Sequence, residues 1–132
     1  SGRPFTVNQS NNNVGTNMYG LPNLVGNPDG PETVDQWFNI AAFQTVANGT
    51  FGNSPRNLLR GPGFQNVDLT VQRRLRVGPR ASATLRWDVF NLFNTVNFGL
   101  PNRDIATAAT FGTISALSDD PRIMQIAVRV AF

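Results

Sequence analysis

From Phe64 to Phe98, apolar and polar positions alternate in two long runs joined at Gly78-Pro79-Arg80. In the first run Val67, Leu69, Val71, Leu75 and Val77 share one parity, and Asp68, Thr70, Gln72, Arg74 and Arg76 the other. In the second, Ala81, Ala83, Leu85, Trp87 and Val89 alternate with Ser82, Thr84, Arg86 and Asp88. A period of two predicts strands over 64–77 and 81–98, each with one apolar and one wet face. Gly-Pro interrupts the ladder and supplies the turn of a hairpin. A slip of one residue would set apolar against polar, so paired residues must share parity. A three-residue loop at 78–80 satisfies this rule. It sets Val77 opposite Ala81, Val71 opposite Trp87, Leu69 opposite Val89, Thr70 opposite Asp88 and Gln72 opposite Arg86. Arg73 breaks the pattern on the apolar face, near the turn, where its long stem can snorkel to a polar boundary.

The alternation returns at 122–132. Met124, Ile126, Val128, Val130 and Phe132 face one way, and Gln125, Ala127, Arg129 and Ala131 the other, which predicts a third full-length strand. Residues 1–7 read as the end of a strand. Between these elements, 8–63 and 99–121 read as long loops. Asn11-Asn12-Asn13, Asn27-Pro28 and Asp29-Gly30-Pro31 are turn or breaker signals. Within them Thr33–Phe38 and Ile40–Phe43 fit either a short helix or a β-turn with buried aromatics, and 113–117 fits a short strand or ledge. Loops this long count against a compact soluble domain but are ordinary on the outer side of a membrane barrel.

Composition narrows the chemistry. Hydrophobic residues make up 40% of the 132 positions and charged residues only 14%, with 12 Gly and 9 Pro, a mixture that suits β-structure with loops rather than a helical bundle. Every basic residue is Arg, and the net charge is +3. These arginines alternate with apolar positions and form no basic tail, so nucleic acid is not an expected partner. Without His or Cys the chain lacks the usual general base, disulfides and thiolate ligands. Catalysis would need a carboxylate pair. Asp68 and Asp88, however, lie among arginines that pair with them more plausibly, so no enzyme and no cofactor is expected. Asp104, Asp119 and Asp120 lie in an oxygen-rich loop of the kind that holds calcium, yet Ser-Asp-Asp-Pro is equally a turn initiator. The Gly-rich, Arg-bearing segment 52–63 reads as a tight turn rather than a phosphate loop. Asn8 and Asn48 head N-glycosylation patterns, which matter only in a glycosylating host. No transmembrane helix and no secretory signal are evident, and a start at Ser1-Gly2-Arg3-Pro4 is expected to lie inside a longer reading frame.

Several phrases occur together in order. They include Ser1-Gly2-Arg3-Pro4-Phe5-Thr6-Val7, Pro22-Asn23-Leu24-Val25-Gly26, Val34-Asp35-Gln36-Trp37-Phe38-Asn39 and Phe51-Gly52-Asn53-Ser54-Pro55-Arg56-Asn57. Arg60-Gly61-Pro62-Gly63-Phe64, Asn66-Val67-Asp68-Leu69, Phe90-Asn91-Leu92-Phe93-Asn94, Asn97-Phe98-Gly99, Phe111-Gly112 and Asp120-Pro121-Arg122 complete the set. The chain thereby resembles the carboxy-terminal barrel strands of TonB-dependent outer-membrane receptors that carry an amino-terminal carboxypeptidase-regulatory-like domain. The resemblance implies an all-β segment over 1–132 built from the 64–98 hairpin and the 122–132 strand, with long surface loops. It also implies that the 78–80 turn and the carboxy terminus are periplasmic, and that Phe132 is a barrel-assembly signal. No plug domain is present, and so few strands cannot close a barrel of that size.

Two roles compete. As part of a receptor, the chain's partners are the remaining barrel strands, lipid and the barrel-assembly machinery, in the outer membrane. Standing alone, its open edges invite pairing with further copies, giving an extracellular β-rich filament. The residues expected to carry assembly are Phe5, Val7, Val67, Leu69, Val71, Trp87, Val89, Ile126, Val128, Val130 and Phe132. A third class is a soluble β-sandwich binding module with Trp37, Phe38, Trp87 and Phe90 as a sugar-stacking platform, although core or lipid-facing roles suit those rings better.

Overall fold

The computed structural model describes residues 2–15 and 19–132. They fall into two units, Ser1–Phe64 with Phe98–Ser118, and Gln65–Asn97 with Asp119–Phe132. The first holds six short strands: β1 (Pro4–Phe5), β2 (Gln9–Asn13), β3 (Tyr19–Gly20), β4 (Asn23–Leu24), β5 (Phe43–Gln44) and β6 (Leu59–Arg60). They pair antiparallel as β1 with β6, β2 with β3, and β4 with β5. The stretch expected as a long loop at 8–63 is thus folded upon itself. Thr33 to Gln36 closes a turn, and Ile40–Ala42 forms one 3-10 turn capped by the Asn39 side chain. Both aromatic segments therefore resolve without an α-helix.

This unit has its own core. Phe38 is 1% exposed, with Phe5, Phe43 and Phe111 ring centroids 5.8, 5.7 and 5.1 Å away. The last two meet it edge-on, the geometry favoured by the ring quadrupole. Val7, Ala42 and Leu59 complete the cluster. Ladders this short satisfy few backbone groups, and amide side chains take over the remainder. Buried Gln9 behaves as a strand neighbour, accepting from the Val46 N–H at 2.9 Å and donating to its carbonyl at 3.0 Å. Buried Asn12 accepts from Gly49 N–H and donates to Thr50 O, both at 2.8 Å. Asn53 accepts from Leu24 N–H at 2.7 Å, and Asn23 in turn accepts from Asn53 N–H. The run of asparagines supplies these bolts.

The second unit is one sheet of β7 (Leu69–Arg76), β8 (Ser82–Phe90) and β9 (Ile123–Ala131), in the order β7-β8-β9. All three strands are shorter than the alternation predicts. Asn91 takes a φ of 51° and Asn94 one of 52°, which ends β8 before Leu92. Pro121, lacking an N–H, precedes β9. The hairpin register matches the parity rule pair for pair, including Leu69 with Val89, Val71 with Trp87, Thr70 with Asp88 and Gln72 with Arg86. Its turn closes with Val77 N–H on Ala81 O at 2.9 Å. Gly78 adopts φ 87° there, a conformation cheap only for glycine. No helix among the described residues is long and apolar enough to cross a membrane, which says nothing of strands.

Two tests address the loop unit. Phe38→Ala removes the ring on which three others rest and should destabilise this unit by about 3–5 kcal/mol, read as faster amide exchange in 1–64 and 98–118 with the sheet unaffected. The second concerns Asp104, which forms an isolated parallel bridge with Asn8. Burial pushes its carboxyl up, but the Ser10 side chain and the Ser10 and Ala106 amides hold the charged form more strongly, leaving it below the usual carboxylate range. A depressed folded value stabilises at pH above the unfolded value of about 3.9 and loses that contribution as pH falls through the folded one. Exchange protection around Ser10 and Ala106 should therefore drop as pH is lowered below about 4, and Asp104→Asn should abolish that dependence.

Candidate functional site: a two-faced sheet with open edges

Directly opposed residues on neighbouring strands project from the same side of a sheet. The two registers therefore define whole rows. Leu69, Val89 and Met124 form one; Val71, Trp87 and Ile126 the next; then Arg73, Leu85 and Val128; then Leu75, Ala83 and Val130. Except for Arg73 this face is apolar from end to end. It is also uncovered: Ile126 is 70% exposed and Val128 67%. Val89, at the end away from the turn, is the buried exception on this face. Water does not suit such a face, whereas lipid or another protein surface does.

The opposite face is polar. Its rows are Thr70, Asp88 and Gln125; Gln72, Arg86 and Ala127; Arg74, Thr84 and Arg129; and Arg76, Ser82 and Ala131. Asp88 is buried and held on both sides, by the Thr70 hydroxyl at 2.7 Å and by Arg86 Nε at 2.9 Å. In the two rows nearest the turn the β8 residue is small, so there the sheet presents arginines on its flanks and small hydroxyls along its centre.

The end opposite the turn is locked by asparagines that periodicity does not reveal. Asn91 N–H donates to Asp68, while its side chain donates to Thr95 O and Asp120 O and accepts from Thr95 N–H. Asn97 and Gln65 exchange two bonds of 2.9 Å, and Asn94 accepts from Arg122 N–H. The available signal was Asn where φ must be positive, a position Asn tolerates better than most residues.

The residues expected to carry assembly separate. Leu69, Val71, Trp87, Val89, Ile126, Val128 and Val130 lie in the sheet on the apolar face. Val67 precedes β7, its carbonyl accepting from Leu92 N–H, and Phe132 follows β9, fully exposed. Phe5 and Val7 sit elsewhere. Both are 1% exposed in the aromatic core of the loop unit, and Phe5 is paired with Leu59. The side chains of Phe5 and Val7 thus enter a core, while β1 is paired along one side only, with β6. The unpaired long edges among the described residues are the outer sides of β7 and β9.

The remaining candidates do not converge. Trp37 and Phe38 belong to the loop unit, with Trp37 Nε1 donating to Arg60 O. Trp87 and Phe90 project from opposite faces of β8. Asp104 lies in one unit, Asp119 and Asp120 in the other. Among the described residues no three His, Cys, Asp or Glu side chains gather to hold a metal.

A family model described as an outer membrane beta barrel domain matches residues 1–125. No curated protein and no solved structure matches the chain.

If lipid is the solvent of the apolar face, parity decides the cost of a charge. Ile126→Arg should lower the stability of the protein folded in phospholipid vesicles by about 2–4 kcal/mol. Gln125→Arg, one residue away on the other face, should leave it nearly unchanged. Equal losses in a denaturant titration would contradict the lipid assignment.

Proposed function

The chain belongs to the outer-membrane β-barrel domain family, and from that premise we propose that it forms wall strands and surface loops of a TonB-dependent receptor. Its parent is of the kind that carries an amino-terminal carboxypeptidase-regulatory-like domain and imports a nutrient across the outer membrane. The observation that carries this reading is the agreement of parity across three strands: one face apolar but for Arg73 and largely uncovered, the other mostly polar, as lipid outside and water inside require. The ordered phrases that resemble those of such receptors support the finer identity. The role is not enzymatic. Its partners are the neighbouring barrel strands at the β7 and β9 edges, the lipid against the apolar rows, and the barrel-assembly machinery at Phe132.

Phe132→Ser in the full-length protein should cut the amount of folded, heat-modifiable barrel in the outer membrane several-fold. Nutrient uptake by the unaltered protein should stop when a protonophore collapses the energy source. Uptake indifferent to the protonophore would argue for a passive channel of the same fold.

A second reading rests on one observation, the two unpaired edges of the long-stranded sheet. Released from a barrel, such edges add strands from further copies. Electron microscopy of the 132-residue chain in detergent-free buffer decides it. Regular filaments support self-assembly, and amorphous aggregate that orders only in detergent with other strands restored rules it out.

A further inference from the structure

On the polar face near the turn, the register builds a trough. The central strand contributes two small hydroxyl side chains, Ser82 and Thr84, as a floor. Arg74 and Arg76 rise on one side and Arg129 on the other. Strands about 4.8 Å apart place the Arg74 and Arg129 backbones roughly 10 Å from each other across Thr84. Arginine stems are long enough to lean inward over that span. Arg74 already does so, its guanidinium 3.3 Å from the Ser82 hydroxyl oxygen. Arg76 and Arg129 have no polar partner among the described residues. Asp88, the carboxylate on the β8 strand, is turned to Arg86 and Thr70 instead, so nothing acidic in the sheet neutralises the trough.

We propose that this trough binds an oxoanion, a phosphate or carboxylate group of a solute passing along the barrel's inner wall. Guanidinium groups match such anions through forked, charge-assisted hydrogen bonds. The hydroxyl floor adds further donors: Ser82 accepts from Arg74 and keeps its own proton to give. The inference rests on the polar face being the water-lined inner wall, and not on the receptor's energy source.

The test uses the full-length protein, folded in detergent, with inorganic pyrophosphate and citrate as separate probes in titration calorimetry. Saturable binding of one or both is expected, and the stronger probe identifies phosphate or carboxylate as the preferred group. Arg129→Gln should weaken it about tenfold or more, the scale of a lost charge-assisted pair. Arg129→Lys should recover part of the loss, since charge returns without the fork. Thr84→Leu, which fills the floor and leaves every charge in place, should also weaken binding. Arg80→Gln removes the same charge from the turn, outside the trough, and should change nothing. Absence of saturable binding by the unaltered protein overturns the proposal. So does an equal loss in the Arg80 and Arg129 variants, which would reduce the effect to net charge. Heat-modifiability of each variant confirms that the barrel has folded before binding is read.

Discussion

Everything in the sheet depends on a parity constraint imposed by the backbone ladder. A strand pair fixed by hydrogen bonds leaves each side chain only one of two faces, and a slip of one residue exchanges them all. β8 is bound by this constraint on both sides, to β7 and to β9. Val71, Trp87 and Ile126 therefore meet in one row although they are far apart in the chain. The same registers gather Thr70, Asp88 and Gln125 on the other side. Neither face was chosen residue by residue. Once one pair is set, the rest follow, and the sheet becomes a boundary between two solvents.

That boundary was legible because it is written in short-range alternation. The three strands, though not their ends, the hairpin register and the 78–80 loop could be read from neighbours in sequence. The loop unit could not. Its order comes from contacts such as Gln9 with Val46, Asn12 with Gly49 and Ser10 with Asp104, which join residues that no local pattern connects. Phe5 shows the difference most clearly. Its neighbours suggest a strand end with an open edge, whereas burial against Phe38 and pairing with Leu59 make it core. The asparagine clamps at Asn91 and Asn97 were likewise hidden, since Asn in sequence signals a turn and not the distant groups it will bind.

The two units solve the problem of buried backbone in opposite ways. The sheet uses ladders and leaves its apolar side chains uncovered, so its stability is bound to what surrounds it. The loop unit has ladders of two to five residues and compensates with side-chain amides around an aromatic core. This division accounts for a composition low in charge and rich in amide. Amides donate and accept without the desolvation cost of a buried charge. Aromatic rings, meeting edge to face, supply much apolar area from few residues.

Arg73 shows how narrow the solvent boundary is. It stands in the apolar row with Leu85 and Val128, has no ion-pair partner among the described residues, and is flanked along its strand by Val71 and Leu75. Val77 lies four positions further on, about 13 Å of strand, and the tilt typical of barrel strands reduces that to about 10 Å of depth. A guanidinium on a fully extended stem covers much of such a distance, so its head can reach the polar layer on the turn side while the stem stays among apolar neighbours. Nearer the middle of the band the same residue would carry the cost of a charge in hydrocarbon. The sheet therefore cannot sink much further with its turn end leading. One side chain out of pattern thus limits the depth of the whole face, and its position toward the turn is what makes the exception tolerable.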